Sequence, residues 1–210
     1  MEKLINLRQR YHFPSSKPDV PENDEGWFNS LTNEVFKKYI NDGTKIVVEI
    51  GSWMGASTRA LLEVKDSLNV ISIDHWEGSR EHKLHEKWSK QIPTLYDTFL
   101  VNCWKYKDRL TPVKLDSVSG LVELSNFEIK PDIIFIDASH DYRNVYNDLT
   151  LSHRLFPEAL IIGDDWHMAG VKKAVTRFIE LYDSDSVNRI NITVFRSVFV
   201  LEISEKLTHR

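Results

Sequence analysis

A single cysteine, Cys103, stands among the 210 residues, so neither an internal disulfide nor a cysteine-based zinc cage can form. A reducing compartment, with the cytoplasm as the default, is the expectation that follows. Positive charge is not in excess either: 27 Lys and Arg against 31 Asp and Glu leave a net charge of -4. Such a chain offers no field to gather phosphate backbones, which disfavours a dedicated nucleic-acid partner. Long apolar runs are missing as well. The opening MEKLINLRQRYHFP carries charges at Glu2, Lys3, Arg8 and Arg10. It has no run suited to a signal peptide, and no later segment approaches the ~20 apolar residues of a membrane span. No repeat or low-complexity tract occurs. What is present is 41% hydrophobic and 28% charged residues, the proportions of one well-buried domain in a chain too short for two ordinary ones.

Short β-branched runs alternate with longer stretches of helical spacing after residue 44, the pattern of a parallel sheet wrapped by helices. The predicted strands are Ile46 to Ile50, Val70 to Ile73, Thr111 to Val113, Ile133 to Ile136 and Leu160 to Ile162. Ser57 to Val64 and Val145 to Phe156 read as helices. Val171, Val175, Phe178, Ile179 and Tyr182 form one apolar stripe at i, i+4, i+7, i+8 and i+11. The closing INITVFRSVFVLEIS is longer than one strand needs and predicts two strands with a bend near Arg196 and Ser197, giving an antiparallel edge. Proline and acid in Pro14 to Gly26 argue for an extended or mobile segment, so residues 1–26 read as an arm and 27–210 as the domain. Residues 76–106 exceed a simple crossover and should add helices over one sheet edge, where a substrate pocket is often shaped.

The first strand runs into Glu49-Ile50-Gly51-Ser52-Trp53-Met54-Gly55-Ala56-Ser57-Thr58, after which a helix begins. Strand, glycine turn and helix together bring a ligand to backbone N–H groups and the positive helix end, although a tight turn alone also needs glycine. Asp74 ends the second strand 23 positions after Gly51, close to the ~20-residue offset at which a carboxylate meets ribose hydroxyls. Trp53 and Ala56 occupy places where a dinucleotide fingerprint wants glycine, which disfavours a pyrophosphate. S-adenosylmethionine has no phosphate to accommodate, and Glu49 would organise the loop and the ligand's amino group. His75 and Trp76 could flank an adenine ring. Asp137 ends the fourth strand and Asp164 with Asp165 the fifth, so parallel strands should bring the three acids together beside Gly51. Carboxylates so placed need a cation or a proton, and an all-oxygen set suits Mg²⁺ or Ca²⁺; capping of the following helices is the alternative use.

On these residues the sequence resembles a class I S-adenosylmethionine-dependent methyltransferase of the metal-dependent O-methyltransferase type, close to the macrocin and catechol O-methyltransferase groups. The likeness covers about residues 27 to 203. It implies a Rossmann-like fold with a mainly parallel seven-stranded sheet, an antiparallel last strand and helices on both faces. It implies a cofactor site at Glu49, Gly51, Ser52, Trp53, Gly55, Ser57, Asp74, His75, Asp116, Ser117 and Asp137, with Asp116 and Ser117 at the adenine edge. A metal, Mg²⁺ or a similar divalent cation, would be bound by Asp137, Asp164 and Asp165. Where the catechol branch has its basic Lys, three residues beyond the first metal Asp, this chain has His140, and where the macrocin-like branch has an Asp it has Ser139. His140 is the expected base, with His167 in reserve. The acceptor implied is a small molecule with a hydroxyl, such as a sugar, polyketide or phenol, and a homo-oligomer is compatible with everything above. A metal-dependent enzyme that moves no methyl group, like those linked to antibiotic hydroxylation, and an accessory cofactor-binding protein are the alternatives. His82, His85 and Glu86 lack the histidine spacing of zinc proteases and read as a solvated helix face. Trp27 and Phe28 would open a helix that lids the cofactor.

Overall fold

A computed structural model describes residues 2–183 and 188–205; the domain limit at residue 210 lies outside them. Five parallel strands come first: β1 (Ile46–Ile50), β2 (Asn69–Asp74), β3 (Leu110–Lys114), β4 (Ile133–Ile136) and β5 (Leu160–Gly163). A hairpin of β6 (Asn188–Phe195) and β7 (Val198–Glu205) closes the sheet, in the order β3-β2-β1-β4-β5-β7-β6. Strand β7 pairs antiparallel with both β5 and β6. The hairpin turns at Arg196 and Ser197, where the sequence placed the bend, with Arg196 in the left-handed region at φ 55°. Proline is tolerated in β3 at Pro112 because that strand lies on the sheet's edge.

Side chains alternate across the strands, so each strand feeds two cores. Val48, Ile50, Ile71, Ile73, Ile134 and Ile136 face one side. There they meet α7 (Ser117–Asn126), α8 (Tyr142–Leu155) and α9 (Ala169–Asp183), whose predicted stripe buries Val171, Val175 and Phe178. Val47, Val70, Ile133, Phe135 and Ile162 face the other side, covered by α2 (Ser30–Tyr39), α3 (Ala56–Val64) and α6 (Leu95–Asn102). The long segment before β3 supplies α4 (Arg80–Leu84), α5 (Glu86–Ser89) and α6.

The first residues, expected as an arm, form a helix, α1 (Glu2–Arg10). Only Leu4 and Leu7 carry its buried face, too short a period to stand out, and both pack into the core that holds Leu121 and Leu124. Arg8 ties it to the sheet through Asn69 (2.8 Å) and Thr111 (3.3 Å). The stretch from Pro14 to Gly26 has no regular structure, yet its end is pinned. Asn23 and Asn102 exchange hydrogen bonds of 3.1 and 2.7 Å, Asp24 pairs with Arg59 at 2.6 Å and Glu25 with Lys87 at 3.0 Å.

Strand register positions the site. Ile50 lies opposite both Ile73 and Ile136, and Ile136 lies opposite Gly163. The next residue on each strand is therefore Gly51, Asp74, Asp137 or Asp164, a row along the carboxyl edge of four adjacent strands. Backbone bonds continue the ladder there, from Gly51 N–H to Ile73, Asp137 N–H to Ile50 and Asp164 N–H to Ile136. Strand order reverses between β1 and β4, the place where open α/β sheets form their ligand crevice.

Candidate active site

The glycine loop is built against the acid end of the sheet. Gly51 has φ 88°, and a Cβ there would lie 2.1 Å from the Asp137 carbonyl oxygen, so only glycine allows this approach. Gly55, also left-handed at φ 84°, caps α3 without a side chain. Between them Trp53 holds φ 46° despite its bulk, a conformation that costs about 1–2 kcal/mol for an L-residue. Asp74 holds it there: one carboxylate oxygen accepts the N–H groups of Ser52 and Trp53, each at 3.0 Å. The other oxygen accepts Trp76 N–H at 2.7 Å, and the Trp76 indole N–H returns to the Trp53 carbonyl at 2.9 Å.

Glu49 lies beneath this loop, fully buried. Its carboxylate accepts hydroxyl hydrogen bonds from Ser52 (2.7 Å), Ser57 (2.6 Å), Ser72 (2.8 Å) and Thr58. Burial pushes its pKa up, and the four hydroxyls oppose that rise. Glu49 and Ser57 thus brace the loop from the sheet side.

A roof of rings covers the loop. His82 sits 4.3 Å from the Trp53 ring and stacks on Trp27 at 5.4 Å, and Trp88 lies 4.6 Å from Trp27. The HKLHE spacing predicts a solvated face for His82. Its half-buried place depends on Trp27 and Trp53, residues far away in the chain, and burial lowers its pKa. His85 and Glu86 are exposed, as expected of that face. Trp76 is buried against Tyr96 and Phe99, whereas His75 is half exposed and accepts Glu77 N–H at 2.8 Å.

After β3, Asp116 caps α7: it accepts Ser119 N–H (3.0 Å) and Ser119 Oγ–H (2.7 Å), which hold its carboxyl below the usual range. Ser117 donates to Asp148 at 2.6 Å. Asp148 is buried on α8, and desolvation raises its pKa from 3.8 to about 6. Between those values the folded chain keeps a proton that the unfolded chain has lost, so stability falls as pH rises through the window. Asp148→Asn removes that penalty. Chemical denaturation should show the variant more stable than wild type at pH 7.5, by up to about 3 kcal/mol, with the two converging below about pH 4. A gap that does not change with pH would contradict this account.

At the ends of β4 and β5, Asp137, His140 and Asp165 each present a ligand atom, all within 4.8 Å of one another. Burial, then Asp164 and Asp165, push the Asp137 carboxyl up to about 8. His140 Nε2 is 2.8 Å from Asp165 Oδ2, a bond that raises the imidazole's pKa. Asp165 is left-handed at φ 59°. His167 is mostly exposed, 3.9 Å from Asp165. Ser139 donates to Asp141, which caps α8, so the loop around His140 is fixed from below. The start of α9 packs on it so closely that a Cβ at Gly170 would lie 2.2 Å from the His140 carbonyl oxygen.

Asp164 has a different neighbour from the one the spacing suggested. Its Oδ2 accepts Thr32 Oγ1–H at 2.9 Å and its Oδ1 accepts Asp165 N–H at 2.7 Å, so its carboxylate is engaged toward α2. No spacing or motif in the sequence marks Thr32 as a site residue. A gap of about 10 Å³, room for about one water-sized sphere, is bounded by Asp137, His140, Asp164 and Asp165.

The fold and the loop geometry define a class I S-adenosylmethionine-dependent methyltransferase fold. The chain belongs to the methyltransferase domain family, whose profile matches residues 48–166, more than half of its length. Among solved structures it is similar to an O-methyltransferase from Bacillus cereus, in complex with S-adenosylhomocysteine, at 19% identity and TM-score 0.54, over 96% of this chain and 88% of that one. It is similar also to the O-methyltransferase TomG from Streptomyces achromogenes, involved in tomaymycin synthesis and bound to S-adenosylmethionine, at 15% identity and TM-score 0.55, over 96% and 88%. A Staphylococcus aureus protein provisionally described as a caffeoyl-CoA O-methyltransferase aligns at 17% identity and TM-score 0.58, over 96% and 97%. At these identities the likeness is one of fold. Comparison with curated proteins gives no match. The chain is a methyltransferase, and no helix among the described residues is long and apolar enough to cross a membrane.

Proposed function

We propose that the protein transfers a methyl group from S-adenosylmethionine to a hydroxyl of a small-molecule acceptor, assisted by a divalent cation at the acid cluster. The carrying observation is the approach of Gly51 to the Asp137 carbonyl, which puts the cofactor-type loop against the acid end of the sheet. A ligand lying on the loop then has its reacting end beside the carboxylates. Gly51, Ser52, Trp53 and Gly55 would form the loop surface on which the cofactor lies, Asp74 would meet the ribose, and His75, Asp116 and Ser117 would lie around the adenine. The cofactor complexes of the Bacillus cereus protein and of TomG support S-adenosylmethionine as the cofactor.

The donor set fits a divalent cation: two carboxylates and an imidazole around a gap of about 10 Å³. Asp137 and Asp165 would hold it, with Asp164 in reach and His140 at the rim. S-adenosylmethionine supplies a methyl group on a sulfonium leaving group, and a bound cation lowers the pKa of an acceptor hydroxyl. His140 would accept the hydroxyl proton at Nδ1, the ring nitrogen that is not bonded to Asp165. Asp165, 2.8 Å away, orients the ring and balances the charge it gains. The rings of Trp27, Trp53, His82 and Trp88 pack together beside the loop. The acceptor we favour is a sugar, polyketide or phenol that bears two neighbouring oxygens.

Calorimetric titration of S-adenosylmethionine into the protein, with and without Mg²⁺, should show micromolar binding in both conditions. Mass spectrometry of incubations with candidate acceptors should then find a product one methylene heavier, together with S-adenosylhomocysteine. Absence of cofactor binding in either condition would refute the reading. Binding with no S-adenosylhomocysteine formed on any acceptor would favour an accessory cofactor-binding role.

A further inference from the structure

Helix α2 is wired to the acid cluster through one buried hydroxyl. Thr32 has no exposed surface and sits in the first turn of α2, where Asn29 caps the helix and accepts the N–H groups of Leu31 and Thr32. Its hydroxyl has one proton to give and two acceptors in reach: Asp164 Oδ2 at 2.9 Å and Asn29 Oδ1 at 3.3 Å. The carboxylate, shorter and charged, is the stronger partner. Asp164 in turn accepts Asp165 N–H at 2.7 Å, and Asp165 is the residue whose left-handed backbone aims its carboxylate at His140. A chain of three contacts therefore runs from α2 to the cluster. Each oxygen of Asp164 accepts one hydrogen bond along it, and the ligand atoms that gather at the cluster belong to Asp137, His140 and Asp165.

We propose that Thr32 is a positioning residue that holds Asp164 out of the acid cluster, thereby setting the number of carboxylates that face a cation and the orientation of Asp165. This rests on the cation reading above. Without the hydroxyl, Asp164 Oδ2 is left against a methyl group, and a half-buried carboxylate oxygen without a donor turns to the nearest positive charge. The nearest site for one is the gap it already borders. Turning in adds a third carboxylate, and affinity for hard cations rises with ligand charge count. The same movement gives up the bond to Asp165 N–H, so the His140 pairing loosens. Tighter metal binding with slower turnover is the signature; a merely structural loss would weaken both.

The test is Mn²⁺ binding to the full chain, by calorimetry and by the paramagnetic resonance signal of free Mn²⁺, in wild type, Thr32→Val and Thr32→Ser. S-adenosylhomocysteine affinity and melting temperature serve as controls on the fold. Thr32→Val should bind Mn²⁺ about ten-fold more tightly than wild type and turn over more slowly, with Thr32→Ser restoring both. Equal affinity in Thr32→Val and wild type, or weaker affinity with a lowered melting temperature, would overturn the role of Thr32 and leave the cation reading standing. Binding by Thr32→Val alone would support Thr32 and overturn a cation in the native site. Binding by neither would overturn both.

Discussion

Asp137→Asn is expected to reduce turnover by about three orders of magnitude, about 4 kcal/mol of transition-state stabilisation, while S-adenosylhomocysteine binds as in wild type. The substitution keeps the shape of a side chain whose neighbours are fixed. Its backbone N–H stays in the ladder to Ile50, and its carbonyl still abuts Gly51. What it removes is a carboxylate already under strain from burial and from Asp164 and Asp165, which push its pKa up to about 8. The variant should therefore fold at least as well as wild type without a cation. Thermal melts at pH 8 make a second reading: Mn²⁺ should raise the melting temperature of wild type and leave that of Asp137→Asn unmoved. Turnover in the variant within ten-fold of wild type, or the same activity of wild type in excess chelator, would remove Asp137 from the chemistry.

Asp74→Ala should act at the opposite end of the cofactor. Its carboxylate accepts three backbone N–H groups, from Ser52, Trp53 and Trp76, at 3.0, 3.0 and 2.7 Å. Two of those residues, Trp53 and Trp76, have positive φ. Hydrogen bonds to a charged group are worth about 1.5–3 kcal/mol each, so the loop loses what offsets its backbone strain. With the proposed ribose contact also gone, S-adenosylhomocysteine affinity should fall about 100-fold, read by calorimetry. Asp74→Asn separates the two roles. Its amide can accept some of the N–H bonds but places an NH₂ against the others, so its affinity should fall between wild type and Ala. Unchanged affinity in Asp74→Ala would end the ribose assignment.

How much of this was legible beforehand depends on the distance over which each feature is decided. The strands β1, β2, β4 and β5 and the stripe of α9 are written locally, in β-branched runs and in a 3.6-residue period, and they emerged within a residue or two of the expected places. The hairpin bend at Arg196 and Ser197 was local too. Helix α1 was not legible, because Leu4 and Leu7 become a buried face only when β2, β3 and α7 supply the other side. His82 belongs to the same class: nothing in HKLHE announces that Trp27 and Trp53 will pack against it.

The candidate site divides along the same line. From the sequence alone came the α/β class, the glycine loop with its acid at Asp74, and the placement of Asp137, Asp164 and Asp165 along one sheet edge, since parallel strands must deliver their carboxyl ends there. The direction in which each of those side chains is held came only from tertiary structure. Asp164 is drawn toward Thr32, which stands 132 positions away. His140 is brought against Asp165 by a left-handed backbone and by the start of α9. Strand order and register follow from patterns repeated along each segment, whereas a side chain's hydrogen-bond partner is chosen by a single donor arriving from elsewhere in the fold, and no spacing in the chain encodes that arrival.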